Sequence, residues 1–329
     1  MSSMPESDVR AALGALELFQ GSASAAIDRL AALARPISLD DGQYLFREGD
    51  PGDSISLLAS GGLEALTRLP GGRELEIEPV GPGVLIGEMA VLAARNRRWS
   101  ARATEPSAGW SFEAAEVGRL EVANQPEVVR RLGRVALGRL REQYARLARL
   151  CDGDPRMDEE PRPAELDDAG PVKSVEREPE ETAYLETVLF FSRFTAPELE
   201  EMFADLRRLE APRGATVLAA GEPASALLVV LRGAVETSIR RGGLAARARL
   251  AGPGRVVGHL SLDGGQPAYV ASRARERSIL LEVPLERVAQ IIDRADDTAR
   301  RFGRAVYADV VDALFEAQRP IARMAAAGG

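Results

Sequence analysis

GQYLFREGDPGDSISLLASGGLE, Gly42 to Glu64, has a counterpart 172 residues further on, GATVLAAGEPASALLVVLRGAVE, Gly214 to Glu236. Gly42, Gly49, Pro51 and Gly61 fall on Gly214, Gly221, Pro223 and Gly233. After a slip of one residue in the hairpin that follows, GPGVLIGEMAVL from Gly81 meets GPGRVVGHLSLD from Gly252, and Ala101-Arg102-Ala103 meets Ser272-Arg273-Ala274. Chance does not keep glycines in register over such a length. Short strand-like runs between glycine-bearing turns, written twice, predict a duplicated domain that is mainly β.

Working outward, each half opens with short helical signals. Val9 to Leu18 and Ala25 to Leu33 carry apolar residues at helical spacing in the first half. In the second, Tyr184 to Phe191 is followed by a cap signal at Thr195 with Glu198 three residues on. Each half closes on a long helical segment, Pro126 to Leu150 and Leu285 to Gln318. Between them, CDGDPRMDEEPRPAELDDAGPVKSVEREPEE is rich in proline and acid and nearly without aliphatic periodicity, the composition of a mobile linker. The expected organisation is a first domain over residues 1–151, an acidic linker over 152–182 and a second domain over 183–329.

The 329 residues suffice for two cores of ordinary size. A formal charge of -8 argues against a nucleic-acid surface spread over the chain. No run of 18 apolar residues is present, which argues against a membrane span, and MSSMPESDVR lacks the basic start and apolar stretch of a secretory signal. A single Cys151 and a single His259 make neither a disulfide framework nor a Cys/His metal site, although carboxylate-only metal sites stay open. The chain reads as cytoplasmic, with no metal and no cofactor.

Chemistry concentrates in GVLIGEMAVLAARNRRWSARA, Gly83 to Ala103: Gly87-Glu88, then Arg97-Arg98 beside Trp99. A carboxylate and a guanidinium set among small and apolar residues suit a ligand with hydroxyls and a phosphate; they also suit a surface salt bridge. The stretch resembles the phosphate-binding cassette of the cyclic nucleotide-binding domain family, the small jelly-roll barrel (double-stranded β-helix) of the catabolite activator protein and of the regulatory subunit of cyclic-AMP-dependent protein kinase. The resemblance spans both halves, roughly Ile27 to Leu150 and Phe190 to Ala317. It implies two tandem jelly-roll domains with flanking helices. Glu88 would accept from the ribose 2'-hydroxyl, Gly87 and the backbone N–H groups of Met89 and Ala90 would face the cyclic phosphate, and Arg97 would pair with it, a task to which arginine's rigid fork is suited. Counting back from Ala101-Arg102-Ala103 selects Arg97, with Arg98 as the alternative one register later. Where the family places a small or hydroxyl residue and then alanine, this chain has Arg98 and Trp99. Trp99 is either a stacking surface for a base or a core residue of the barrel.

In the second copy Glu88 falls on His259 and Arg97 on Ala268, so both polar anchors are gone. His259 is expected at the surface, hydrogen-bonded, with no acid–base partner evident. The leading expectation is a regulatory sensor that binds a cyclic mononucleotide in the first barrel, cyclic AMP in preference to cyclic GMP, with a cyclic dinucleotide as a minor alternative. Its helices within Glu116 to Leu150 would pass the signal to the second barrel or a partner. A homo-oligomer or a protein partner could use the apolar positions Val288, Ile291, Ile292, Phe302, Val306, Val310, Val311 and Leu314, which equally suit a lid over the barrel. The rival reading is a ligand-free pair of barrels acting as a scaffold. Arg294, Arg300, Arg301 and Arg304 read as a solvated face rather than a DNA contact, and no catalytic signature appears, so an enzyme is not expected.

Overall fold

The computed structural model describes residues 6–16, 19, 24–68, 72–116, 127–153, 170–178, 181–241, 244–263, 269–294 and 296–327. The chain forms two compact units, Met1–Gly133 and Arg134–Gly329.

In the first unit, helices α1 (Glu6–Ala15) and α2 (Ser24–Leu33) precede strands β1 (Arg35–Leu39), β2 (Tyr44–Phe46), β3 (Ser54–Ser60), β4 (Leu63–Arg68), β5 (Glu74–Val80) and β6 (Leu85–Ile86). The short helix α3 (Glu88–Ala93) follows, then β7 (Ser100–Ala103) and β8 (Ser107–Glu113). The strands make two four-stranded antiparallel sheets, ordered β1-β8-β3-β6 and β2-β7-β4-β5. Val9 and Leu13 of α1 and Leu30 of α2 pack on Ile55, Leu57, Trp110 and Phe112 of the first sheet. Helix α4 (Glu127–Gly153) then runs through the boundary between the units.

The second unit repeats this order. Strands β9 (Lys173–Val175), β10 (Arg208–Ala211), β11 (Thr216–Leu218), β12 (Ala226–Arg232), β13 (Val235–Arg241), β14 (Leu244–Ala251), β15 (Val256–Val257), β16 (Val270–Ala274) and β17 (Ser278–Pro284) form sheets β15-β12-β17-β10-β9 and β11-β16-β13-β14. Except for β9, the two orders match those of the first unit strand for strand. Helices α5 (Glu181–Leu185), α6 (Ala196–Phe203), α7 (Leu285–Asp293) and α8 (Asp297–Ala327) complete it. The run ALLVVLR shows why β12 sits at the centre. Leu227, Val229 and Leu231 point at the helices, whereas Leu228 and Val230 point at the opposite sheet, so alternation is replaced by continuous burial. Both units are therefore mixed, two antiparallel sheets flanked by helices.

The glycine register of the sequence is a register of backbone shape. Gly61 and Gly233 have φ of 83° and 86°, and a Cβ at either would stand 2.3 or 2.5 Å from the hydroxyl of Ser107 or Ser278. That serine makes the same bonds in each copy. Ser107 bonds the N–H and carbonyl of Gly62 and the carbonyl of Glu105; Ser278 bonds those of Ala234 and the carbonyl of Glu276.

Three expectations change. The tail of the expected linker is built into the second unit: Lys173–Val175 pairs with β10, and Glu181 is buried against the guanidinium of Arg208. A buried guanidinium requires an acceptor, which outweighs the linker-like composition; residues 154–169 lie outside those described. The helical segment expected from Leu285 to Gln318 is two helices, α7 and α8, the second running on to Ala327, and Asp296 accepts from the N–H of Ala299 where it starts. The apolar positions offered for self-association are all buried, with Val288, Ile291, Ile292, Phe302 and Val306 in the core between helices and β12, β15 and β17, so this face is used inside the unit. Arg294, Arg300 and Arg301 form ion pairs with Glu201, Asp296, Asp297 and Glu198. The cap at Thr195 is present, its N–H donating to Glu198.

Candidate functional site

β6 delivers the chain to Gly87, whose φ of 89° turns it sharply into α3. Only glycine adopts this conformation at small cost, and a Cβ there would lie 2.5 Å from Nη1 of Arg97. Glu88, the first residue of α3, is 0% exposed; Met89 and Ala90 are buried beside it. α3 ends after six residues at Ala94, which takes a left-handed φ of 50°, and Arg95 closes the turn by donating its N–H to the carbonyl of Ala90. The loop after α3 is stitched to the β2–β3 connection: the N–H of Arg97 donates to Asp50, and the N–H of Gly49 donates to the carbonyl of Arg97.

This clamp holds the Arg97 side chain inside the fold, 4% exposed. Nη1 donates to the carbonyl of Gly87 at 2.8 Å, and Nη2 to the carbonyl and hydroxyl of Ser54 at 2.7 and 3.0 Å. The guanidinium lies 4.3 Å from the ring centroid of Phe46. Nε is buried and has no hydrogen-bond acceptor among the described residues. Burial lowers the pKa of Arg97, and the charges of Asp53, Glu88 and Asp50 oppose that fall. The structure thus brings Gly87, Glu88 and Arg97 into one cluster. Arg98 points to an exposed position of the loop. Trp99 is 6% exposed and packs on Phe46 at 5.4 Å between ring centroids, as a core residue does.

In the second unit Gly258 repeats the turn with φ of 92°, and His259 opens a short 3-10 turn, His259–Asp263. Ala268, the counterpart of Arg97, lies outside the described residues. His259 is buried at 5% exposure, which corrects the surface expectation, and its partner comes from a distant element: Nε2 lies 2.9 Å from Oδ2 of Asp309 on α8. A carboxylate only accepts, so Nε2 carries the proton. Burial lowers the His259 pKa, against the pull of Asp309. Arg249 of β14 donates from Nη2 to both oxygens of Asp309 at 2.9 Å, and the N–H of Val256 donates to Oδ2 at 3.0 Å. Burial pushes the Asp309 carboxyl up, but Arg249, His259 and Arg255 together hold it well below the usual carboxylate range. Arg255 also reaches Asp312 and Glu316. From α4, Arg141 donates to the carbonyl of Asp263 at 3.0 Å, and the phenol of Tyr144 is buried near Arg249, Glu316 and Asp309. Neither Arg249 nor Asp309 was legible as a site residue, since each stands far from the glycine register.

The family model of the cyclic nucleotide-binding domain matches residues 36–122 and 208–295, more than half of the chain. The chain belongs to that family, with two domains in tandem. Among curated proteins, it is 34% identical over 134 residues to the acetyltransferase Pat of Mycolicibacterium smegmatis, covering 40% of this chain and 39% of that one. It is 32% identical over 137 residues to a CRP-like cAMP-activated global transcriptional regulator of Mycobacterium tuberculosis, covering 42% of this chain and 61% of that one. The chain thus spans less than two thirds of either relative. Among solved structures, the regulatory domain of Toxoplasma gondii PKA with cAMP matches 91% of this chain and 95% of its own at 16% identity and a TM-score of 0.35. The likeness to Pat corrects the expectation that the chain is not an enzyme, because a stretch of 134 residues is shared with an acetyltransferase. Among the described residues no helix is long and apolar enough to cross a membrane.

Proposed function

We propose that the first unit is a sensor for a cyclic mononucleotide, its two sheets closing as a jelly roll around the ligand. Gly87, Glu88 and the N–H groups of Met89 and Ala90 form one side of the site and Arg97 the other. The observation that carries this reading is the buried guanidinium of Arg97 beside Gly87 and Glu88, with Nε lacking an acceptor among the described residues. A phosphate oxygen supplies such an acceptor, and a buried donor left without one costs about 1 to 3 kcal/mol. Cyclic AMP is the preferred ligand over cyclic GMP, Arg98 an outer contact from the loop, and α4 the element that carries the change onward, because it continues the chain of the first unit into the second as one helix.

The test is calorimetric titration of the full chain with cyclic AMP and with cyclic GMP, beside Arg97→Ala and Glu88→Gln. The expected result is micromolar or tighter binding that Arg97→Ala weakens by about thirtyfold to several thousandfold. Arg97 also bridges Gly87 to Ser54, so Glu88→Gln, which keeps the volume of the side chain, checks the site without removing the bridge. A folded, ligand-free parent that gives no heat with either nucleotide overturns the proposal. It would favour a ligand-free scaffold, to which one observation already speaks: both Nη groups of Arg97 have protein acceptors.

A further inference from the structure

We infer that the second unit contains an anion site that the chain fills with its own Asp309 carboxylate, so that its cassette is permanently self-liganded and α8 is latched to it. Three donors from separate elements converge on one carboxylate. Arg249 of β14 offers Nη2 to both carboxylate oxygens, Val256 of β15 offers its N–H, and His259 at the head of the cassette offers Nε2–H, all within 2.9 to 3.0 Å. Arg249, His259 and Asp309 are each at least nine-tenths buried. Guanidinium, backbone amide and imidazole together form the donor set of a carboxylate or phosphate site rather than of a single surface pair.

The position matters as much as the chemistry. The site lies where Gly258 repeats the left-handed turn of Gly87, so the same bend that starts the first cassette starts this one. Here the carboxylate arrives from α8, 50 residues beyond His259 in the chain. Neighbouring ties reinforce it: Arg255 bonds Asp312 and Glu316 one and two turns further along α8, and Arg141 of α4 bonds the carbonyl of Asp263 at the end of the turn. An external anion would have to displace Asp309 and, with it, the middle of α8. The second unit therefore holds its helix in place irrespective of nucleotide. This inference stands apart from the reading of the first unit.

The experiment uses the full chain with Asp309→Ala and formate as the probe, chloride serving as the ionic-strength control. The expected result is a lowered Tm for Asp309→Ala that rises with the logarithm of formate concentration, or formate-dependent folding if the variant is unfolded in buffer. The parent shows no such response, and Arg249→Gln added to Asp309→Ala abolishes it. A second variant, Asp309→Asn, keeps the volume without the charge. Its α8 amides should lose hydrogen-exchange protection by about a hundredfold or more, whereas those of the first unit keep theirs. Unchanged stability in Asp309→Ala, a loss that formate does not restore, or undiminished α8 protection in Asp309→Asn would each overturn the inference.

Discussion

Gly87 and Gly258 share a backbone conformation but not a neighbourhood, and alanine at each separates two costs. The common cost is conformational: φ of 89° and 92° are left-handed, a region that charges a non-glycine residue about 1 to 2 kcal/mol. The second cost belongs to Gly87. A Cβ there stands 2.5 Å from Nη1 of Arg97 and 3.0 Å from the carbonyl of Ser54, whereas at Gly258 the nearest atoms, on Ala226 and Leu218, are 3.2 Å away. Arg97 cannot yield freely, since Ser54 holds its other nitrogen. Displacing it forfeits the bond to the Gly87 carbonyl, worth about 1.5 to 3 kcal/mol for a charged donor. Gly87→Ala should therefore destabilise its unit by about 2.5 to 5 kcal/mol and Gly258→Ala by about 1 to 2 kcal/mol. Native-state hydrogen exchange reads the two units separately: amides of β3 and β6 report the first, those of β12 and β15 the second. The difference corresponds to about ten- to a hundredfold in protection. Equal losses in the two variants would refute the argument that Arg97 leans on Gly87.

Trp99→Phe should leave nucleotide affinity within about threefold of the parent, because the indole is spent against Phe46; calorimetry showing a loss of tenfold or more would make Trp99 a stacking surface. Ser107→Ala and Ser278→Ala should each cost about 1 to 3 kcal/mol in their own unit, since the hydroxyls make matching bonds; exchange that shows a loss in one copy alone would break the equivalence. Burial pushes the Tyr144 phenol up to about 12, against about 10 in an unfolded chain. The folded state holds that proton more tightly, so the contribution is complete below pH of about 10 and is lost as pH rises towards about 12. Tyrosinate absorbance compared between the parent and Tyr144→Phe checks this, and a Tyr144 signal that titrates with the exposed tyrosines contradicts it.

What could be read from the sequence was what repeats. Glycines with left-handed backbone recur in the second copy, with one residue of slip before Gly87, because a turn of given shape demands them locally, so Gly42, Gly61 and Gly87 announce their counterparts without knowledge of the fold. The cluster of Gly87, Glu88 and Arg97 was legible for the same reason: its members lie within one loop and a six-residue helix. The second site was not. His259 finds Asp309 50 residues away on a helix whose apolar period masks its acids, and Arg249 sits in a strand whose arginines look alike until the fold buries this one. The strand Lys173–Val175 was missed because three residues in an acidic stretch have no period; pairing with β10 makes them a strand.

The two cassettes also show that losing Glu88 and Arg97 from the second copy is not a loss of polarity. Each cassette keeps a buried carboxylate and a buried guanidinium at its head, but the carriers differ. In the first, both belong to the cassette itself, and the guanidinium is anchored to Ser54 at the start of β3 and to Asp53 just before it. In the second, the carboxylate rides on α8 and the guanidinium on β14, so the same electrostatic need joins a long helix to a sheet. A ligand that offers an anion to the first competes for Arg97 with two backbone carbonyls, a hydroxyl and the exposed carboxylate of Asp53 at 3.8 Å. An anion at the second competes with a full charge already attached to the chain, held by Nη2 of Arg249 on both carboxylate oxygens, a backbone amide and an imidazole. On the two proposals made above, responsiveness belongs to the first copy and rigidity to the second, and the division follows from which element carries the carboxylate.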